Sequence, residues 1–345
     1  MKKIIFTFIL MSGYFIVSAQ FNSSKDPFSV KFLKDQHFGK INAETSHGDI
    51  AVSVVPASDT RIEVFVRSNN NNEQLSKAEI QKLLDENYTL DISVSGDQLT
   101  AVARQKTNFN WKRSLSISYK IYATKSTNTR LITSHGNIDL SGMEGTQDVS
   151  TSHGNINIED ATGKLTGQTS HGDISISGSK DNIDFRTSHG NIDVRNAEGT
   201  LKLVTSNGDI QSRKIKGQIR MSTSHGNIGG NTIEGDLSAS TSHGNVNVEG
   251  LSGSIEASTD HGNIDVVMEK VSGSITIDNS NGDISLQLPK GKGLNVDLEG
   301  KKINIDPLEN FSGSKEENSM KGTLGGGGAL VKAKTNRGNV SLSFR

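Results

Sequence analysis

The sequence has no cysteine. That absence removes disulfides, thiolate metal ligands and cysteine nucleophiles together. Aromatic residues are only 5% of the chain, and its 345 residues include four prolines. With 32% hydrophobic residues the composition is lean for a compact globule. It suits a repeat fold whose thin core is built of small and branched side chains. An excess of charge of one sign is missing too, with 37 basic against 38 acidic residues. Nothing resembles the basic footprint of a nucleic-acid binder, so no nucleic-acid partner is expected. Beyond residue 20 no run is long and apolar enough to span a bilayer, so no transmembrane segment is expected once a leader is removed.

The leader is read at residues 1–19 as a signal peptide. Lys2 and Lys3 form its charged start, Ile4 to Val17 its apolar run, and Val17-Ser18-Ala19 its small-residue cleavage site. No cysteine follows that site, which excludes a lipid-anchored lipoprotein. The expected destination is outside the cytoplasm, either the periplasm or the cell surface.

What the chain has in abundance is glycine, and the glycine is periodic. The word TSHGNIDL at 133–140 returns as TSHGNINI at 151, TSHGDISI at 169, TSHGNIDV at 187 and TSHGNVNV at 241. Its glycines, Gly136, Gly154, Gly172, Gly190, Gly208, Gly226, Gly244 and Gly262, are spaced 18 residues apart, and Gly282 follows after 20. Outlying copies are TSHGDIAV at 45–52 and TNRGNVSL at 335–342. A second glycine (Gly145, Gly163, Gly199, Gly217, Gly235, Gly253) divides most repeats in half, and Asp181 takes that place once.

Each half carries a short alternation of apolar and polar residues, such as Ile192-Asp193-Val194 or Leu201-Lys202-Leu203. Period two means a strand with one buried face. Strands this short become stable by stacking on their own copies. Ile138, Ile156, Ile174, Ile192, Ile210, Ile228, Val246 and Ile264 are expected to form one ladder. Leu165, Ile183, Leu201, Ile219, Leu237, Ile255 and Ile275 form the opposite one. The predicted fold is all-β: a β-solenoid of 18-residue coils, each made of two 9-residue strand-turn units. A left-handed hexapeptide helix needs apolar residues every six positions, which this chain lacks. A calcium β-roll needs G-G-x-G-x-D-x-U-x, and its second glycine and aspartate are missing here.

The flanks are less regular. Residues 20–130 are expected to be a β-rich N-terminal cap with an inserted helix over 73–87. Regular solenoid repeats are expected over 131–290, and an irregular segment with a closing coil over 291–345. Gly325 to Gly328 precede Ala-Leu-Val rather than the lysine and hydroxyl of a phosphate loop, so they read as a turn.

The stretch ISYKIYATKSTNTRLITSHGNIDL at 117–140 resembles the entry into the repeat of the bacterial putative-adhesin domain family of unknown function. TLGGGGALVKAKTNRGNVSLSF at 323–344 resembles that family's closing coil. The resemblance runs from about residue 40 to the end. It implies an exported β-helical protein and brings no catalytic residues with it. One departure stands out. The third position of the word, commonly asparagine in such repeats, is mostly histidine here.

Those histidines are His135, His153, His171, His189, His225, His243 and His261, with Asn207 and Asn281 in the same slot and His47 and Arg337 in the outlying copies. Two accounts stand side by side. One is a backbone demand, since a residue before glycine in a tight turn often takes φ > 0, which Asn, Asp and His tolerate. The other is a metal strip, since neutral imidazole is a common ligand for zinc, copper and nickel, and Asp173, Asp209 or Asp260 could add a carboxylate. The threonines and the Asn/Asp residues of the word are expected to form further turn ladders.

No cofactor is required by the sequence. Zinc or copper is implied only if the histidine row is a metal strip. A β-helical lyase would need long loops around a cleft with clustered charge, and the coils are almost loopless. The serines beside histidine in TSH are not triads, because neighbouring strand residues point apart. Ice binding would need an exposed T-x-T file, and these threonines are single. The chain therefore reads as a non-enzymatic exported binding or scaffold module of the cell envelope, with envelope glycans or surface proteins as partners. Asp139, Asn157, Ser175, Asp193 and Asn247 are expected on one outer face. Transition-metal binding or sequestration by the histidine column is the alternative.

Overall fold

The computed structural model describes residues 26–345 apart from 35, 37, 71–73, 108, 110, 292 and 307–309. The signal peptide read at 1–19 lies outside the described residues. The strands join into one continuous sheet wound as an all-β solenoid, as the periodicity predicts. Neighbouring coils pair in parallel with a register of one repeat. Ile192 lies opposite Ile210 and Leu201 opposite Ile219, and the next coil sets Ile228 and Leu237 in the same columns.

In the coil that starts at Ile192, the buried residues are Ile192, Val194, Ala197, Leu201, Leu203 and Thr205. Period two holds along each flank and breaks at the corner between them. The corner needs a left-handed backbone, which explains the dividing glycine. Asn196 has φ 52 and Gly199 φ 123, and Asp181, standing where the other repeats have glycine, has φ 82. Side-chain volume is exchanged between coils. The ring of Phe185 is fully buried, and a Cβ on Gly167 in the coil below would collide with it.

The repeat with two extra residues is absorbed without loss of register on the flanks. Pairing slips between Glu249 and Ile255 and then resumes as Ile255 opposite Ile275.

The ends depart from simple winding. Strands Lys40–His47 and Ile50–Val54 pair in parallel with Asn128–His135 and Ile138–Ser141, so residues 40–54 are already a full coil of the stack. On their other side they pair with Gln98–Gln105 and Leu115–Ala123. The chain thus leaves its first coil, builds the outer layer, and returns beneath it. The antiparallel strands Arg61–Ser68, Tyr88–Ser95 and Ser29–Phe32 complete that layer. One helix, Lys77–Asn87, packs on it through Ile80, Leu83 and Leu84. It starts at a capping box, Ser76 with Glu79, four residues later than the sequence suggests, and Glu73 lies outside the described residues.

The other end uses the same device. The closing coil, Ala329–Thr335 with Val340–Phe344, pairs with Ile264–Asn281 and Ile284–Leu288. It is not the tip of the rod, because Leu294–Glu299 and Ile303–Ile305 stack on its far side. Antiparallel Ser319–Leu324 and Phe311–Lys315 cover that last coil. Gly325, Gly326 and Gly327, all at positive φ, make the return turn. No helix among the described residues is long and apolar enough to cross a membrane.

Candidate functional site

The repeated word builds one edge of the solenoid, and hydrogen bonding explains its grammar. The threonine is buried and its hydroxyl donates to the carbonyl of the word glycine one coil before. Thr151 donates to Gly136, Thr187 to Gly172 and Thr259 to Gly244, at 2.9–3.0 Å. Where the word has Asn279 instead, its amide donates to Gly262 O at 2.8 Å. The glycine three residues after the threonine faces the same carbonyl. A Cβ on Gly190 would collide with Gly172 O, and the same holds from coil to coil. Thr and Gly at this spacing therefore serve one acceptor from two sides.

The Asn/Asp position forms a second, unbroken ladder. Each side-chain Oδ1 accepts the backbone N–H of its counterpart one coil on, at 2.7–2.9 Å, from Asp49 through Asn137 and Asp173 to Asn339. Such a column satisfies turn amides that no strand reaches.

The histidine slot lies between these two ladders. None of its occupants has φ > 0, which corrects the expectation of a left-handed residue before glycine. The reason is local. His135, His171 and His189 end strands and keep extended backbone, and the non-glycine residues of the coils with positive φ, such as Asp181 and Asn196, stand at the opposite corner. The rings stack face to face in two runs. His47, His135, His153, His171 and His189 form the first, with ring centres 4.6–4.9 Å apart and planes within 6°. His225, His243 and His261 form the second, at 4.9 Å. Asn207 separates them and turns its amide onto Ser188 O, as Asn281 does onto Asp260 O.

This stacking does not make a chelate. Imidazole lone pairs lie in the ring plane, and one ion cannot lie in two parallel planes. Two nitrogens bound to one zinc at about 2.0–2.1 Å are at most about 4.2 Å apart, shorter than the ring spacing. Among the described residues no three His, Asp or Glu groups converge as metal ligands. Burial and then the neighbouring His135 hold the His47 imidazole below its ordinary value.

The outer faces are polar. On the flank after the word, Asn157 donates to Asp139 at 2.7 Å, and Arg195 holds Asp193 through Nε and Nη2. Burial raises the Asp139 carboxyl, against the Asn157 hydrogen bond, and burial also raises Asp265. On the other flank a shallow groove of about 550 Å³ crosses consecutive coils. Lys202, Arg220, Asp236 and Glu256 line it, with Gln218 and Ser254 between. Lys202 reaches Asp184 at 3.3 Å, while Arg220 and Glu256 have no ion-pair partner among the described residues. Sequence inspection did not single out this groove. Its signal is present as the polar residues flanking Leu201, Ile219, Leu237 and Ile255.

These features define a class: a single-chain β-solenoid with hydrogen-bonded turn ladders and polar outer faces. The chain belongs to the Toastrack DUF4097 family, whose model matches residues 2–228 and 178–343. The resemblance read from the word and the closing coil is thereby shown. Two solved structures are similar to it. One is a putative cell adhesion protein from Clostridium sporogenes, with 10% identity, 92% of this chain and 98% of that chain covered, and a TM-score of 0.18. The other is a putative adhesin from Bacteroides fragilis, with 13% identity, 94% and 99% covered, and a TM-score of 0.22. Overlaps this loose leave the family assignment resting on the sequence model. No curated protein matches the chain.

Proposed function

We propose that the protein is a non-enzymatic, exported binding or scaffold module of the cell envelope, adhesin-like, and that it holds extended polar polymers such as envelope glycans. The observation that carries this is the groove in which Lys202, Arg220 and Glu256 share one column of the stacked coils and Gln218, Asp236 and Ser254 the next, on a face without protruding loops. A polymer lying across the coils meets a new set of polar groups at each step. Arg220 and Glu256, without ion-pair partners among the described residues, are the groups available to a ligand. Family membership and the leader-like residues 1–19 support export.

The test is a glycan array probed at neutral pH with the parent chain and with the double substitution Arg220→Ala, Glu256→Ala. Binding to polysaccharide that weakens at least about fivefold in the variant is expected, since lost charged hydrogen bonds are worth about 1.5–3 kcal/mol each. A parent that binds no envelope polymer, or a variant that binds equally, sinks the assignment.

A further inference from the structure

We propose that the stack His47, His135, His153, His171 and His189 is a second binding strip, separate from the groove, which takes up acidic polysaccharide in mildly acid medium. The strip is geometric before it is electrostatic. Five imidazoles stand at 4.6–4.9 Å intervals along one edge, and four of them, His135 to His189, are exposed. Spacing too wide for one metal ion suits an oxyanion. The two oxygens of a carboxylate can each accept from a different ring at an ordinary charge-assisted distance of about 2.7–2.9 Å. A polymer with one carboxylate on each sugar repeats that acceptor along its length.

Charge supplies the gate. Imidazole is the side chain that changes charge between about pH 5 and 8. The charged residues within the same words are Asp49 and Asp173, two positions past the column with one oxygen each engaged by the ladder, and Asp139 and Asp193, four positions past it on the flank. There Asn157 donates to Asp139, and Arg195 and Arg213 pair with Asp193. Glu44 and Arg186 stand three positions before the column, each in an ion pair of its own, with Arg104 and Asp184. Against His47 the outer coil brings Ser116 to Ser118, which carry no charge, and beyond His189 the slot holds neutral Asn207. With neutral imidazoles the edge is negative. With the four exposed imidazoles charged, against the two carboxylates beside the column, it becomes positive. The second stack has three imidazoles beside Asp209 and Asp260, so its surplus is small.

The same geometry argues against single-stranded nucleic acid as the ligand. Base recognition needs free aromatic faces, and each of these faces is covered by the next ring.

The experiment is calorimetric titration of the whole chain at low salt with polygalacturonate, at about pH 5 and about pH 7.5. Dextran serves as the uncharged control and a single-stranded oligodeoxynucleotide as the competing class. The expected result is affinity for polygalacturonate at least about tenfold higher at the acid pH, lost in high salt. Dextran should show no such gain. The combined substitution His135→Asn, His153→Asn, His171→Asn should remove the gain, in a slot where Asn207 and Asn281 already stand. The groove variant Arg220→Ala, Glu256→Ala should keep it, which separates the two sites. Equal affinity at both pH values, an unchanged gain in the triple variant, or a gain that survives high salt overturns the proposal. Tighter binding of the oligonucleotide overturns it in favour of nucleic acid. If the triple variant fails to fold, His153→Asn alone breaks the stack at its centre and must at least halve the gain.

Discussion

The threonine of the word should be worth more through its hydroxyl than through its methyl group. Thr187 is 5% exposed, and its Oγ1 donates to Gly172 O at 3.0 Å. Thr187→Val keeps the shape and removes the donor, leaving a part-buried carbonyl without its hydrogen bond. That costs about 1–3 kcal/mol. Thr187→Ser keeps the donor and loses one methyl, which costs about 0.5–1.5 kcal/mol by analogy with Ile→Val in cores. The valine variant should therefore be the less stable of the two, although it is the more hydrophobic. Urea unfolding followed by far-ultraviolet circular dichroism measures both. With a slope near 3 kcal/mol/M, the valine midpoint should fall by about 0.3–1 M. Thr187→Asn should recover part of the loss, since Asn279 makes the same contact to Gly262. A valine variant as stable as the parent, with serine lower, would show that the methyl group does the packing and that the account of the word is wrong.

Two further outcomes follow from the same edge. Gly190→Ala places a Cβ against Gly172 O, so the coils must separate locally, at about 1–3 kcal/mol or more, whereas Gly96→Ala meets open space and bears only the left-handed cost of about 1–2 kcal/mol. Urea midpoints should rank Gly190→Ala below Gly96→Ala, and the reverse order refutes the close approach. The second concerns acid. Because burial and then His135 lower the proton affinity of His47 in the folded chain, the unfolded chain takes up that proton first as pH falls. The stability from neutral His47 is full above about pH 6.5 and is lost as pH drops through the lowered folded value. Midpoints should decline from about pH 7 to 5 in the parent and decline less in His47→Asn. A flat curve between 5 and 8 contradicts this.

Most of the fold was legible because an 18-residue period leaves few architectures open. The ladders headed by Ile138 and Leu165, and the corner role of Asp181, follow from spacing alone. The ends were not legible. Residues 40–54 and 329–344 are each inserted between two coils that follow one another in the chain, and a single sequence carries no signal for which neighbour a strand will choose. The histidine slot was found by repetition, but its backbone was misjudged. Proximity to glycine suggested a turn conformation, whereas the slot ends a strand and the glycine is needed for close approach. The groove was missed because its residues vary from coil to coil, and variation hides a surface that only stacking assembles.

That contrast separates what the repeat must keep from what it is free to change. Thr and Gly converge on one part-buried carbonyl, Asn or Asp feeds the next coil's amide, and Ile fills the core, so each of these positions answers to the coils above and below. The slot held by histidine meets none of those three needs. Asn207 fills it by turning onto Ser188 O, and Arg337 fills it in the closing coil. Packing cannot account for histidine recurring in eight words where asparagine or arginine also serves. A chemistry of imidazole in a row can. The rings have covered faces and open edges, and they stand too far apart to share a metal ion, which leaves their exchangeable protons as the property that a row can use.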